Sequence, residues 1–163
     1  MPKATLSDIL KELKAIRKLL TPKVEAIPSQ PVNASLKDLI AAGNFQYVNS
    51  DINDVNFPDI GEVRGAIELY NHGKYATTKE IEDAMDKKGL RPANLRELLE
   101  YAKKGWDGKT WCVALGSSWM HPGGVRHVPY LYRGGASRRL RLYWDVPGSA
   151  WYEGCRFVAI KKV

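Results

Sequence analysis

From about residue 110 onward the side chains alternate between apolar and polar in short runs cut by glycine-containing turns. This switch of period limits the fold more than any other feature of the chain. Residues 110–115, 128–132, 139–144 and 155–160 read as strands, separated by Pro122-Gly123-Gly124, Gly134-Gly135 and Pro147-Gly148. The residues just before them keep a helical spacing instead. Thr77 and Glu80 fit a capping box for a helix that runs to about Lys88 and stops at Gly89. Pro92 and Asn94 open a second, with Leu95, Leu98, Leu99 and Ala102 on one face and Gly105 at its end. Helices followed by a run of short strands give an α+β fold: two helices with a small antiparallel sheet.

Upstream the organisation is looser. Leu6, Ile9, Leu13, Ile16 and Leu20 recur at spacings of three and four, which predicts an amphipathic helix over residues 5–20 capped by Thr5 or Ser7. These are a/d positions covering two heptads, so the helix Leu6–Leu20 either packs on its own domain or mediates self-association. Pro22 ends it, and the stretch to residue 34 holds three prolines and reads as a linker. The division expected is a helix and linker over 1–34 and a folded domain over 35–163. Ser35 caps a short helix over 36–42, stopped by Gly43, and Phe45, Tyr47 and Val48 suggest a strand. Residues 63–70 fit either a strand or a helix. Asp51, Asp54 and Asp59 lack the spacing and closing glutamate of an EF-hand loop, so they read as a solvated turn.

Charge is unevenly placed. The chain carries a formal +7, yet residues 1–115 contribute only +1 of it. Residues 116–160 hold six of the ten arginines, none of the fifteen lysines and none of the seven asparagines. An even spread would put about four lysines there. An electropositive surface on a near-neutral body suits acidic ligands or nucleic acid.

Within that segment, Arg139-Leu140-Arg141-Leu142-Tyr143-Trp144 places Leu140, Leu142 and Trp144 on one side of a strand and Arg139, Arg141 and Tyr143 on the other. The first set is a core face. The second offers planar stacking, large contact area and forked hydrogen bonds, as a contact surface requires. The turns hold a similar mixture: Met120, His121, Gly124, Val125, His127, Tyr132, Arg133, Ala136, Ser137, Val146, Ser149, Ala150, Tyr152 and Glu153. Small, aromatic and basic residues without a period are typical of binding loops on a rigid frame. Trp119, Trp144 and Trp151 alternate with that set and are expected in the core. Asp145 and Arg156 read as members of an ion pair or loop tether.

The framework Leu115-Gly116-Ser117-Ser118-Trp119, Arg126-x-Val128-Pro129-Tyr130-Leu131, Leu140-x-Leu142-x-Trp144-Asp145, Trp151 and Cys155-Arg156-Phe157-Val158-Ala159 resembles the variable proteins of diversity-generating retroelements. It is most similar to the branch found in archaeal viruses and small-genome microbes. Arg91-Pro92-Ala93-Asn94-Leu95 adds a weaker supporting piece, and the resemblance covers roughly residues 35–163. It implies a C-type-lectin-like fold with a fixed framework, in which reverse transcription rewrites the positions between at template adenines, over about 116–160. The missing Asn and Lys, whose codons are adenine-rich, agree with this. Asn codons altered at adenines give Tyr, His, Arg, Gly, Ser, Ala, Val or Asp; Met120 and Glu153 cannot arise that way. The Trp-Asn-Asp run and Glu/Gln-Pro-Asn/Asp loop of calcium-dependent lectins are missing, so calcium and sugar binding are not implied.

The expected ligand-binding set is therefore His121, Val125, His127, Tyr132, Arg133, Ala136, Ser137, Arg139, Arg141, Tyr143, Val146, Ser149, Ala150 and Tyr152. Its expected partner is a protein or other macromolecule, and a nucleic acid bound through arginine and tyrosine is the alternative. No catalytic residue, metal site or cofactor is expected. Cys112 and Cys155 lack metal-binding spacing and read as buried free thiols, and His72, His121 and His127 have no sequence-local carboxylate or nucleophile. With no apolar leader and no run long enough to cross a bilayer, the chain is expected in the cytoplasm or on a virus particle, with no membrane partner.

Overall fold

The computed structural model describes residues 4–20 and 34–163, which belong to two separate units, 1–33 and 34–163. Most of the expected linker lies outside the described residues. In the first unit, α1 (Leu6–Leu20) is capped by Thr5, whose hydroxyl accepts the Asp8 amide at 3.2 Å. Asp8 in turn accepts from the Thr5 amide and hydroxyl, which holds its carboxyl below the usual carboxylate range.

The second unit is α+β, and its sheet is larger than the sequence indicated. It opens with α2 (Leu36–Ala42), capped by Ser35, then β1 (Tyr47–Val48) and β2 (Ile67–Asn71). The helix α3 (Thr78–Lys87) starts with the Thr77/Glu80 capping box. A short β3 (Leu90–Pro92) leads into α4 (Leu95–Lys104), which has a second capping box from Asn94 and Glu97. Then come β4 (Cys112–Val113), β5 (Trp119–Met120), β6 (Arg126–Gly134), β7 (Ser137–Asp145) and β8 (Arg156–Lys161).

Among the described residues these form four helices and one eight-stranded sheet in the order β1-β7-β6-β4-β8-β2, with β3 on β8 and β5 on β6. The expectation of a small antiparallel sheet is therefore corrected. Long-range pairing supplies the extra strands, and two pairs, β1 with β7 and β4 with β8, are parallel.

The central strands are buried on both sides, so alternate residues feed two core layers. Leu131, Leu140, Leu142, Val158 and Ile160 pack with Leu36 and Leu39 of α2 and with Leu95, Leu98 and Leu99 of α4. Val128, Tyr130, Phe157 and Ala159 point the other way, toward Ile81 and Met85 of α3. Glu97 is fully buried at the head of α4, where its carboxylate takes a forked contact from Arg91 at 2.7 and 3.0 Å and the Asn94 amide at 2.9 Å.

Two framework stretches far apart in sequence meet at this helix start. The Gly116 amide donates to Ala93 O at 2.8 Å, and the Leu95 amide donates to the Ser117 hydroxyl at 2.7 Å. No helix among the described residues is long and apolar enough to cross a membrane.

Candidate functional site

The antiparallel hairpin of β6 and β7 carries the site. Its register sets Tyr132 opposite Arg139, Tyr130 opposite Arg141 and Val128 opposite Tyr143. Side chains directly opposite in such a pair share a face. Leu140 and Leu142, which alternate with Arg139, Arg141 and Tyr143, are buried in the layer with α2 and α4. Arg139 and Arg141 are half-buried and Tyr143 is exposed on the other side, as the alternation predicts.

That row lies on an aromatic floor. The Trp111 ring sits 5.1 Å from Tyr130, 4.9 Å from Tyr132 and 5.8 Å from Tyr152, the last two edge-on. Tyr143 packs 4.6 Å from Trp151, whose ring meets Phe157 edge-on. The Arg141 guanidinium stands 6.0 Å from both the Tyr132 and Tyr47 rings, and that of Arg139 is 5.9 Å from Tyr47, within cation–π range. Arg139 Nε is shielded from solvent without a hydrogen-bond partner. Burial pushes the Tyr130 and Tyr152 hydroxyls up from their ordinary value, so both stay neutral donors.

Behind this face runs a tether. Trp151 Nε1 donates to the Thr78 hydroxyl at 2.9 Å, and that hydroxyl donates to Asp145 at 2.8 Å. Arg126 donates to the other Asp145 oxygen at 2.7 Å and to Leu115 O at 2.9 Å. Asp145 thus finds its partner in Arg126, while Arg156 donates to Gly154 O.

The expected binding residues fall into three places. Tyr132, Arg139, Arg141, Tyr143 and Tyr152 surround the aromatic floor, with half-buried Ser137 and exposed Arg133 and Ala136 at the hairpin tip. Val146 and Ser149, with Ala150 beside them, border an open cleft of about 540 Å³ that Thr77, Thr78, Met120, Gly124, Arg126 and Asp145 also line. His121, His127 and half-buried Val125 lie elsewhere, with Trp119 and Trp144.

Two expectations fail in that third place. Trp144 shares a face with Leu140 and Leu142 but is 64% exposed, because the helical cover ends before it and its cross-strand neighbour is His127. His127 is buried, with Trp119 and Trp144 about 5.5 Å away and its Nδ1 at 2.9 Å from Val125 O, so it belongs to the frame. Trp151 is buried as expected, and Trp119 is half-buried.

The six arginines do not form one basic surface either. Arg138 faces the other way, its guanidinium 4.5 Å from Trp106 and bonded to Gly43 O and Ala102 O. Arg126 is held by Asp145.

No protein-family model, curated protein or solved structure matches the chain. The site must be read from its own chemistry. Among the described residues no three His, Cys, Asp or Glu side chains gather as metal ligands. Burial raises Cys112 to about 12 and Cys155 to about 11, so both remain neutral thiols near pH 7. What remains is an aromatic surface with arginines lying over it, suited to holding another molecule by stacking and forked hydrogen bonds.

The sequence reading missed Tyr47 and Trp111 as members of this surface, while Tyr130, read as framework, is buried beneath it. Trp111 has the strand parity of Val113 and Leu115 and was findable from that. Tyr47 reaches the site only through its parallel pairing with Arg139, which no local pattern encodes.

Proposed function

We propose that the chain is a non-enzymatic recognition protein that binds a protein or other macromolecular ligand on the Arg139/Arg141/Tyr143 face. One observation carries the reading. A single strand holds Leu140 and Leu142 in the core while, on its other side, Arg139 lies by Tyr47, Arg141 by Tyr47 and Tyr132, and Tyr143 against Tyr130 and Trp151. Changes at the contact residues would then leave the Leu140 and Leu142 packing on the opposite side in place. The Lys- and Asn-free composition of residues 116–160 supports a further step. It fits a variable protein of a diversity-generating retroelement, with a C-type-lectin-like frame and recognition positions rewritten at adenines.

Nucleic-acid binding is less well supported. Arg126 and Arg138 are tied into the frame, which breaks up the positive field a phosphate backbone would require.

A ligand recovered by screening a library of protein domains against the parent chain should lose binding to an Arg139→Ser/Arg141→Ser/Tyr143→Ser variant that still melts cooperatively. Unaltered binding would remove the site from consideration, and an unfolded variant would make the row structural. Steeply salt-dependent binding to unrelated oligonucleotides would favour the nucleic-acid alternative. The retroelement step is checked in the flanking DNA. It needs a near-copy of the segment differing at adenines, next to a reverse transcriptase gene.

A further inference from the structure

Outside the candidate site, α1 carries a continuous row of exposed apolar side chains. Every side chain described in that helix is exposed, Leu6, Ile9, Leu10, Leu13 and Ile16 among them. An isolated helix of 15 residues is marginal in water, so its stability calls for burial of this stripe. Taking Leu6, Leu13 and Leu20 as a, and Ile9 and Ile16 as d, fills every a and d position with a branched aliphatic residue. Positions b, c and f are Ser7, Lys14, Asp8, Ala15, Lys11 and Lys18, none of which seeks a core.

The same frame specifies the occupant. Glu12 falls at g and Arg17 at e of the following heptad, the two positions that meet between neighbouring helices of a parallel coiled coil. The helix is thus complementary in charge to another copy of itself. Leucine at a with isoleucine at d shifts the preference from two strands to three or four, and Leu10 at e widens the apolar face as such a bundle requires. The polar face mixes acids with lysines and the apolar face has no tryptophan or phenylalanine, which fits a membrane surface less well.

We infer that α1 assembles the protein into a parallel bundle of three or four copies, burying Leu6, Ile9, Leu13 and Ile16 and pairing Glu12 with Arg17 of a neighbouring copy. This does not depend on the recognition reading, although joined copies would present their binding faces together and raise avidity.

Sedimentation equilibrium of the full chain is expected to give three to four times the 18.3 kDa chain mass. The Ile9→Asp/Ile16→Asp variant should return to the chain mass while the 34–163 domain melts as before. Glu12→Arg alone and Arg17→Glu alone should each weaken assembly, and mixing the two variants should restore it as a hetero-assembly. A chain monomeric from micromolar to hundreds of micromolar overturns the inference. So does assembly that survives the Ile9→Asp/Ile16→Asp change, or a mixture no better associated than its parts. A monomer that floats with phosphatidylserine vesicles would reassign α1 to a membrane surface.

Discussion

Arg139 lies across Gly134: a Cβ placed on that glycine would stand 2.6 Å from the guanidinium carbon. Gly134 pairs with Ser137 at the end of the hairpin, so the missing side chain opens the path by which Arg139 reaches its place near Tyr47.

Gly134→Ala tests whether that place matters. The obstructed group is the outer part of a flexible side chain and can swing aside, so the fold should lose no more than about 1 kcal/mol. Arg139 itself must move. The expected result is a melting temperature within a few degrees of the parent, with ligand affinity reduced about as much as by Arg139→Ala. If affinity is untouched while Arg139→Ala abolishes it, the present position of Arg139 is not the binding one.

Leu140 and Trp144 share a face of β7 but should respond oppositely to truncation. Leu140 is fully buried between α4 and the sheet, so Leu140→Ala should cost roughly 2–5 kcal/mol. Trp144, 64% exposed, leaves no closed cavity, and Trp144→Ala should cost about 1 kcal/mol or less. Urea denaturation of both variants measures the difference. Equal costs would mean that the end of β7 is covered by something beyond the cross-strand contact with His127.

This pair also marks how far the sequence could be read. Alternation assigns each residue of 139–144 to a side, and Leu140, Leu142, Arg139, Arg141 and Tyr143 follow it. It says nothing about where the layer above the sheet stops, and Trp144 lies past that edge. The capping box at Thr77 and the helix start at Asn94 were legible because the groups that make them lie within four residues, although the Glu97 half of the second box was not picked out. Strand β3 was not: Leu90–Pro92 is too short to show a period and includes a proline, and only β8 makes it a strand. The Arg126–Asp145 partnership was hidden for a similar reason, since hairpin register and not sequence distance brings the two together.

Both cysteines should make the protein sensitive to alkali. Burial raises the Cys112 thiol from an ordinary 9.0 to about 12 and that of Cys155 to about 11. The unfolded chain therefore gives up these protons first, and stability present below pH 9 is lost as pH rises through the folded values. The buried hydroxyl of Tyr130, also raised, acts in the same direction. Urea midpoints should fall steadily above pH 9, and a Cys112→Ala/Cys155→Ala variant should fall less steeply. In native protein at pH 8, a thiol-titrating disulfide should find neither group, and in urea it should find both. Rapid native reaction of either thiol would contradict the burial.

Gly116 gives the counterpart to Gly134. A Cβ here would stand 2.6 Å from Ala93 O and 2.8 Å from Pro92 O, and these are backbone atoms. They cannot swing aside, because Ala93 donates its amide to Val158 O in the sheet and accepts the Gly116 amide at 2.8 Å. Relieving the overlap would pull the segment after β4 away from the head of α4 and strain the bond from the Leu95 amide to Ser117. Gly116→Ala should thus destabilise by about 2–3 kcal/mol, several times the effect of Gly134→Ala. Gly116 and Ala93 occur in two separate pieces of the framework, so the substitution tests whether those pieces are tied by contact or only by sequence. Thermal melts of the two glycine variants side by side decide it, and equal shifts would mean that the approach of Gly116 to Ala93 is looser than 2.8 Å implies.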